Sequence, residues 1–214
     1  MVFHFNDIFA TAFSKEVFMI KREQILEAAF KAFTSGGIKD VKMEDIAASL
    51  KISKKTLYDY FSGKKELVVK SLEYKLPQLL DKNARIIKCM PNPLKALVFC
   101  AVENIRFWSV FTDKFMEEAK ALPELGEYGK YIRREMEIHD NQLLDGCVSE
   151  GYLREEESSR LISVFMTNLM KADQLRGQEV FPSDLCFDMV LTILGGLCTQ
   201  KGRRVLEELK ENYS

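Results

Sequence analysis

The stretch that decides the fold is Ile46–Leu67, IAASLKISKKTLYDYFSGKKEL. Its first part belongs to an apolar pattern at helical spacing, which predicts a short helix over residues 43–50. A break of three residues, 51–53, follows. The hydroxyl of Ser53 is a suitable N-cap for a second short helix that runs through Phe61. Two short helices separated by a tight break predict a helix-turn-helix.

The outward face of the second helix carries groups that bind DNA. At about 100° per residue, placing Leu57 and Phe61 inward turns Lys55 and Thr56 outward, with a tyrosine on each flank. Ammonium groups bind phosphate oxygens or guanine, and the threonine hydroxyl and methyl contact base edges. Asp59 also faces outward and would repel phosphate. It therefore either accepts a hydrogen bond from cytosine N4 or turns toward Lys55, and we favour the second arrangement.

Charge is distributed unevenly along the sequence. The formal net charge is −1, but residues 21–67 contain ten Lys or Arg against seven Asp or Glu. The stretch 51–65 is more basic still, with five lysines against a single aspartate, whereas residues 68–214 carry an excess of three acids. A small basic head on a mildly acidic body is typical of a DNA-binding surface joined to a region that does not touch DNA.

The composition argues against several classes of protein. The five cysteines are widely spaced, form no C-x-x-C pair and are accompanied by only two histidines. We therefore expect neither disulfides nor a zinc site, and interpret the cysteines as reduced packing residues of a cytoplasmic protein. No uncharged apolar run approaches the ~20 residues of a membrane-spanning helix. The sequence contains no nucleophile–base motif, phosphate loop or metal spacing, so we expect no enzyme, no cofactor and no metal.

Apolar residues recur at helical spacing along almost the whole chain, which predicts an all-α fold. A supporting helix over residues 21–35 precedes the helix-turn-helix, and a long helix from Lys64 should join head and body, kinked at Pro77. Further helices are predicted to begin at Asn92-Pro93, Thr112, Leu125, Glu155 and Ser183, with a short tail helix after Gly202.

Residues 1–18 precede this pattern and are thinly charged. They are either a disordered or misassigned leader or an extra helix, since phenylalanines recur every four residues. We therefore divide the chain into a leader (1–18), a DNA-binding head (19–67) and a helical body (68–214).

The helix-turn-helix stretch resembles the signature of the tetracycline-repressor (TetR) family of transcriptional regulators. The shared features are Ile46-Ala47, the pattern S-x-x-T-L-Y-x-x-F over residues 53–61 and K-x-x-L over residues 64–67. The resemblance implies a three-helix head followed by a C-terminal helical bundle for ligand binding and dimerisation. It further implies a regulator, usually a repressor, that occupies a palindromic operator as a homodimer and is released by a small, apolar effector. The alternative is a DNA-binding regulator that is controlled by a protein partner.

By position, the resemblance assigns DNA contacts within the head. The base-reading part of the family's recognition helix matches residues 54–56, and Lys64 matches a phosphate-binding lysine. The candidate DNA-binding residues are Lys42, Met43, Ser53, Lys54, Lys55, Thr56, Tyr58, Tyr60 and Lys64. Three positions depart from the family pattern. Lys42 replaces a Thr or Ser cap, Lys51 replaces a turn glycine and must take φ > 0, and Tyr60 replaces a frequent His.

The resemblance also implies a ligand pocket among the fourth to eighth predicted helices and a dimer through the eighth and ninth, residues 155–175 and 183–198. Aromatic and methionine side chains suit a large apolar ligand, with Glu103 or His139 as a polar anchor, although such side chains also form ordinary helical cores. The candidate ligand-binding residues are Phe99, Glu103, Phe107, Phe111, Met136, His139, Phe165 and Met166. Within 183–198, Gly195-Gly196 marks either the close approach of a partner helix or the end of the helix.

Overall fold

The computed structural model describes residues 20–154 and 183–213. Across these two ranges the chain forms nine α-helices and one isolated bridge, between Leu153 and Cys198, so the fold is all-α as predicted. The helices are α1 (Arg22–Gly36), α2 (Met43–Ser49), α3 (Lys54–Tyr60), α4 (Lys64–Cys89), α5 (Pro93–Ser109), α6 (Asp113–Ala119), α7 (Pro123–Ser149), α8 (Ser183–Leu197) and α9 (Gln200–Tyr213).

The first three helices fold as the apolar spacing predicts. Their inward side chains meet in one core with the start of α4, and burial of this apolar surface is what holds such short helices in place. The largest fully buried side chains of this core are Ile25, Phe33, Ile46, Leu57, Phe61, Leu67 and Val68. Lys51 takes φ 55° in the turn before α3, which confirms the predicted left-handed conformation.

The head core extends into the body without a break. Helix α4 runs through the junction near residue 67, which confirms the predicted shared helix. Side chains from α6, α7 and the segment between α5 and α6 also pack into the head core. These are Phe111, Phe115, Leu125, Ile132 and Met136. The boundary at residue 67 therefore lies inside a continuous helix, and the division into domains stays a prediction.

The distal body has its own core, formed by α5, α7, α8 and α9. The tail helix α9 begins at Gln200, before Gly202, so it is longer than the sequence predicted. A Cβ at Gly202 would overlap the backbone carbonyl of Tyr152 and lie 2.9 Å from Cys198 Sγ. Glycine at this position is therefore what allows α9 to approach the segment that follows α7.

Two expectations about the distal body need correction. Helix α8 continues through Gly195 and Gly196 to Leu197, so the proposed helix end at Gly195 is wrong. Four of the five cysteines are buried as expected, but Cys89 is exposed at the end of α4 and is not a packing residue. Burial raises the pKa of the Cys147 thiol to about 12, which keeps it protonated and unreactive.

Several predictions lie outside the described residues. These are the leader 1–18, the helix over 155–175 and the candidate ligand-binding residues Phe165 and Met166. Within the described ranges, no helix combines the length and the apolar character needed to cross a bilayer. The kink predicted at Pro77, which lies inside α4, stays a prediction.

Candidate nucleic-acid interface

Helix α3 begins with a side-chain cap that fixes its orientation. The Ser53 hydroxyl accepts a hydrogen bond from the Thr56 amide at 3.0 Å and lies 2.8 Å from the Thr56 hydroxyl. Because Leu57 and Phe61 are buried on the opposite side, Lys55 and Tyr58 project into solvent. The helix thus presents a polar face with its amino terminus open, which is the arrangement needed to enter a major groove.

The lysines of the head differ in how much of their charge is available. Lys54 forms an ion pair with Glu44 of α2, which raises the pKa of the lysine and lowers that of the carboxyl. Lys65 forms an ion pair with Glu124 of α7 at 2.7 Å. Lys64 donates a hydrogen bond to the carbonyl oxygen of Lys39 at 2.8 Å, so one of its three ammonium protons is engaged.

Six other lysines of the head form no ion pair with the described residues, and three of them lie around α3. Lys42, Lys51 and Lys55 are exposed and form no ion pair within the described part of the chain. They lie just before α2, in the turn and on the face of α3, respectively. Lys21, Lys31 and Lys39 are the other three, so half of these six lysines of the head lie around α3.

The structure changes the interpretation of three residues near this surface. Met43 is only 4% exposed, so its side chain belongs to the head core and is withdrawn from any DNA contact. The Tyr60 hydroxyl donates to the carbonyl oxygen of Ile20 at 2.8 Å, which ties the entry of the chain to α3 instead of leaving the phenol free for phosphate. Asp59 is exposed and forms no ion pair with Lys55, contrary to the arrangement we favoured.

Helix α6 holds the loop that joins α1 to α2. The Glu118 carboxylate accepts hydrogen bonds from the amides of Ile38 and Lys39 at 2.5 and 2.8 Å. The amide and hydroxyl of Thr112 both donate to the carbonyl oxygen of Thr34, at 3.0 and 2.9 Å. These contacts join residues about 80 positions apart, and no local pattern in the sequence predicts them.

An ion pair and a tight glycine reinforce this attachment. Lys114 pairs with Asp40, which holds the pKa of that carboxyl below its usual value. A Cβ at Gly37, which has φ 86°, would lie 2.9 Å from the Lys114 side chain. Helix α6 therefore cannot move independently of the loop that joins α1 to α2 unless several polar contacts break.

The candidate ligand-binding residues do not share one environment. Phe107 and Phe111 pack with Phe30 of α1, at centroid distances of 5.8 and 5.5 Å, in the core that links head and body. Phe99 instead packs against the distal core, 6.2 Å from Phe187 of α8. Met136 is 7% exposed and belongs to the core shared with the head.

The two proposed polar anchors, Glu103 and His139, have different surroundings in the structure. Glu103 pairs with Lys82 of α4 and with Arg106 at 3.6 Å, so its charge is already neutralised by the protein. His139 is partly buried, and its Nδ1 atom has no hydrogen-bond partner. His139 is therefore a better candidate for contact with a ligand than Glu103.

Sequence reasoning missed a second set of buried polar groups in the body. Asn83 and Asn104 are each 4% exposed and joined by a hydrogen bond of 2.8 Å from Asn83 Nδ2 to Asn104 Oδ1. Both stand at inward positions of otherwise apolar helical stripes, a signal that was present in the sequence. Among the described residues, no group of side chains has the composition and spacing to hold a metal ion.

Comparison with known proteins agrees with this architecture. Residues 25–70 match the model of the bacterial regulatory proteins of the tetR family. Over 154 residues, 68% of this chain and 74% of the relative, the sequence is 26% identical to the HTH-type transcriptional repressor KstR2 of Mycolicibacterium smegmatis.

Two solved structures share the fold over most of their length. The ketosteroid transcriptional regulator KstR2 of Mycobacterium tuberculosis has a TM-score of 0.68 and 20% identity, covering 86% of this chain and 97% of that one. A transcriptional regulator from Saccharomonospora viridis in complex with choline has a TM-score of 0.70 and 17% identity, covering 84% and 98%. The helix-turn-helix geometry and the family model show that residues 25–70 form a DNA-binding domain of the tetR-family type, and the two solved structures share the fold of most of the chain.

Proposed function

We propose that this regulator binds a palindromic operator as a homodimer, with α3 of each protomer in a major groove. The observation that carries the proposal is the exposed face of α3, which is capped by Ser53 and leaves Lys55 and Tyr58 free in solvent. A single seven-residue helix contacts too few base pairs to specify a site. Two such helices about 34 Å apart read two half-sites, which is why we expect a dimer.

The side chains around α3 have different roles in this proposal. Thr56 and Lys55 contact base edges. Lys54 joins them when DNA displaces Glu44, its ion-pair partner in the free protein. Tyr58, Lys42 and Lys64 contact phosphates and set the position of the head on the duplex. Ser53 acts through its cap rather than through DNA.

We place the dimer interface on α8 together with residues 155–175. The exposed stripe of α8 includes Leu185, which is 49% exposed, and Gly196, where nothing in the described part of the chain lies within 4 Å of an added Cβ. Large apolar side chains in water and an uncovered glycine inside a helix both favour burial against a second helix.

We further propose that a small molecule bound in the body releases the operator, which makes the protein a repressor. A structure of the same fold was determined with bound choline, which supports a body able to enclose a small molecule. The contacts of Glu118 and Thr112 give a route from the body to the head. A shift of α6 would move the two heads away from a spacing of one DNA turn, so both half-sites could no longer be engaged at once. The place of action is then the cytoplasm, where the operator DNA lies.

The test starts from DNA selected by the purified protein from a random pool. We expect an inverted repeat with half-sites about one helical turn apart. On that site, Thr56→Ala should change base preference within the half-site, whereas Lys42→Ala should weaken binding to all sequences alike. Equal effects of the two substitutions on every sequence would contradict the assigned roles, and failure to enrich any sequence would contradict operator binding.

A further inference from the structure

The body contains a layer of polar side chains between its two apolar cores. In α4, Asn83 follows Leu79 of the core shared with the head and precedes Ile87 of the distal core, each by four residues. In α5, Asn104 stands between Cys100 of the distal core and Trp108, which packs on the other one. Polar groups therefore replace apolar ones where the two cores meet.

Helix α7 completes this layer. His139 and Asp140 lie between Met136, which belongs to the core shared with the head, and Leu143 of the distal core. Helices α4, α5 and α7 pack against one another, and Asp140 is close enough to Cys100 of α5 to contribute to the raised pKa of that thiol. We call Asn83, Asn104, His139 and Asp140 the polar layer.

The polar layer is not fully hydrogen-bonded within the described part of the chain. Asn83 is only 4% exposed, and its Oδ1 atom has no hydrogen-bond partner among the described residues. His139 Nδ1 is buried without a partner too. Native proteins rarely leave such atoms unpaired, because each unpaired buried group costs free energy in the folded state. A purely structural network would pair these atoms, so they indicate a place for a group that residues 20–154 and 183–213 do not supply.

The missing group must donate a hydrogen bond to Asn83 Oδ1, should carry positive charge to face Asp140, and can accept a hydrogen bond from Trp108 Nε1, which is also buried without a partner among the described residues. Asn83 Oδ1 is an acceptor, and so is the Asp140 carboxylate, which forms no ion pair with the described residues. Burial raises the pKa of the Asp140 carboxyl to about 6 although His139 beside it opposes the shift, so the carboxyl is mostly ionised at neutral pH and has no ion-pair partner among the described residues. The nearby cations Lys82 and Arg106 are taken by Glu103.

We propose that the polar layer binds the protonated amine of an otherwise apolar effector, with Asp140 as counter-ion and Asn83 Oδ1 as hydrogen-bond acceptor. The apolar remainder of the molecule lies against the aromatic side chains of α5, beginning with Trp108 one turn away. This inference rests on the proposed effector-controlled function and specifies the chemical class of the ligand.

The test compares three probes that share one skeleton: phenylbutylamine, phenylbutanol and phenylbutyrate. Binding to the full chain at neutral pH is followed by the fluorescence of Trp108, the only tryptophan. A charge-assisted hydrogen bond should make the amine bind about tenfold more tightly than the alcohol. The carboxylate should bind most weakly, because it meets an acceptor and a like charge.

Asp140→Asn should reduce the amine to the affinity of the alcohol. Asp145→Asn is the matched control, with the same charge change at an exposed position of α7, and it should keep the tenfold preference. The proposal is overturned if Asp140→Asn leaves the preference unchanged, if the alcohol or the acid binds most tightly, or if none of the probes binds. Operator binding is measured on the same samples. If it persists while the amine fails, only the ligand class is wrong, whereas its loss from the unmodified protein would contradict the proposed function.

Discussion

The head and the body bury different kinds of side chain. In the head, the buried hydroxyl of Thr34 bonds to the Phe30 carbonyl of its own helix, and no buried side-chain polar atom of the described head residues lacks a partner. In the body, Asn83, Trp108 and His139 each keep a buried polar atom without a partner among the described residues. A self-satisfied interior can serve as a rigid support for a surface site, whereas an interior with unpaired polar atoms is suited to receive a ligand.

The largest effect is expected in the core of the head. Leu57 is fully buried on the inner face of α3, so Leu57→Ala should lower the free energy of unfolding by about 2–5 kcal/mol. Ile138→Ala, at a side chain that is 43% exposed, should change it by less than about 0.5 kcal/mol. Denaturant titration followed by circular dichroism measures both, and similar costs for the two variants would contradict the assigned inner face of α3.

A smaller effect is expected where α9 approaches the body. Gly202→Ala places a methyl against the Tyr152 carbonyl and Cys198 Sγ, and should cost about 1–3 kcal/mol. Gly129→Ala in α7 meets nothing within 4 Å, and should instead stabilise the protein by up to about 1 kcal/mol. Thermal melting distinguishes the two, and a neutral Gly202→Ala would show that α9 does not pack this closely.

The polar layer predicts a pH dependence of stability. The pKa of Asp140 is raised from 3.8 to about 6 by burial, so the folded state binds the proton more tightly than the unfolded state. The free energy of unfolding should therefore rise as pH falls through about 6 and level off near the unfolded value. Asp140→Asn should remove this rise and should stabilise the protein at pH values above about 6 by about 1–2 kcal/mol. One pKa unit corresponds to about 1.4 kcal/mol, and the full shift is reduced because the carboxyl is only partly buried.

The control for this prediction is again Asp145→Asn, whose exposed carboxylate should leave the pH profile unchanged. Denaturant midpoints measured between acid and neutral pH supply the profile. A profile that keeps its rise in Asp140→Asn would assign the titration to another group.

The sequence predicted the head well, because its spacing alone decides which side chains turn inward. Leu57 and Phe61 are buried, and Ser53 caps α3. Lys51 takes the positive φ predicted for it from its place at a turn position where the family has glycine. Each of these depends on neighbours within a few residues. Met43 shows the limit of assigning roles by resemblance. The resemblance gave it a DNA contact, but its side chain lies on the inward face of α2 and is buried.

The body was predicted less completely, because its polar contacts join distant parts of the chain. Glu103 meets Lys82 across 21 positions, and Glu118 meets Ile38 across 80. Nothing in the local pattern of either glutamate indicates its partner. Asn83 and Asn104 could have been noticed as polar residues on apolar stripes, but the missing partner of Asn83 Oδ1 is a property of the folded arrangement.

The smallest effect on folding is expected at the cap of α3. Ser53→Ala removes the hydrogen bond to the Thr56 amide, which should cost about 1 kcal/mol and also weaken operator binding, because the recognition helix loses its first turn. Ser35→Ala, at the exposed end of α1, is the control and should change stability by less than about 0.5 kcal/mol. Unfolding and DNA titrations on the same samples check both effects, and unchanged stability would show that the cap contributes nothing.

The central claim is that the free lysines around α3 face the DNA, and the salt dependence of operator binding tests it most directly. With about three lysine contacts per head in a dimer, the slope of log affinity against log salt should be about −5, and Lys42→Ala, which removes one phosphate contact from each head, should make it less steep by about 2. Lys88→Ala, an exposed lysine near the far end of α4, should leave the slope unchanged. A flat salt response, or equal slopes for the Lys42 and Lys88 variants, would contradict this placement of α3.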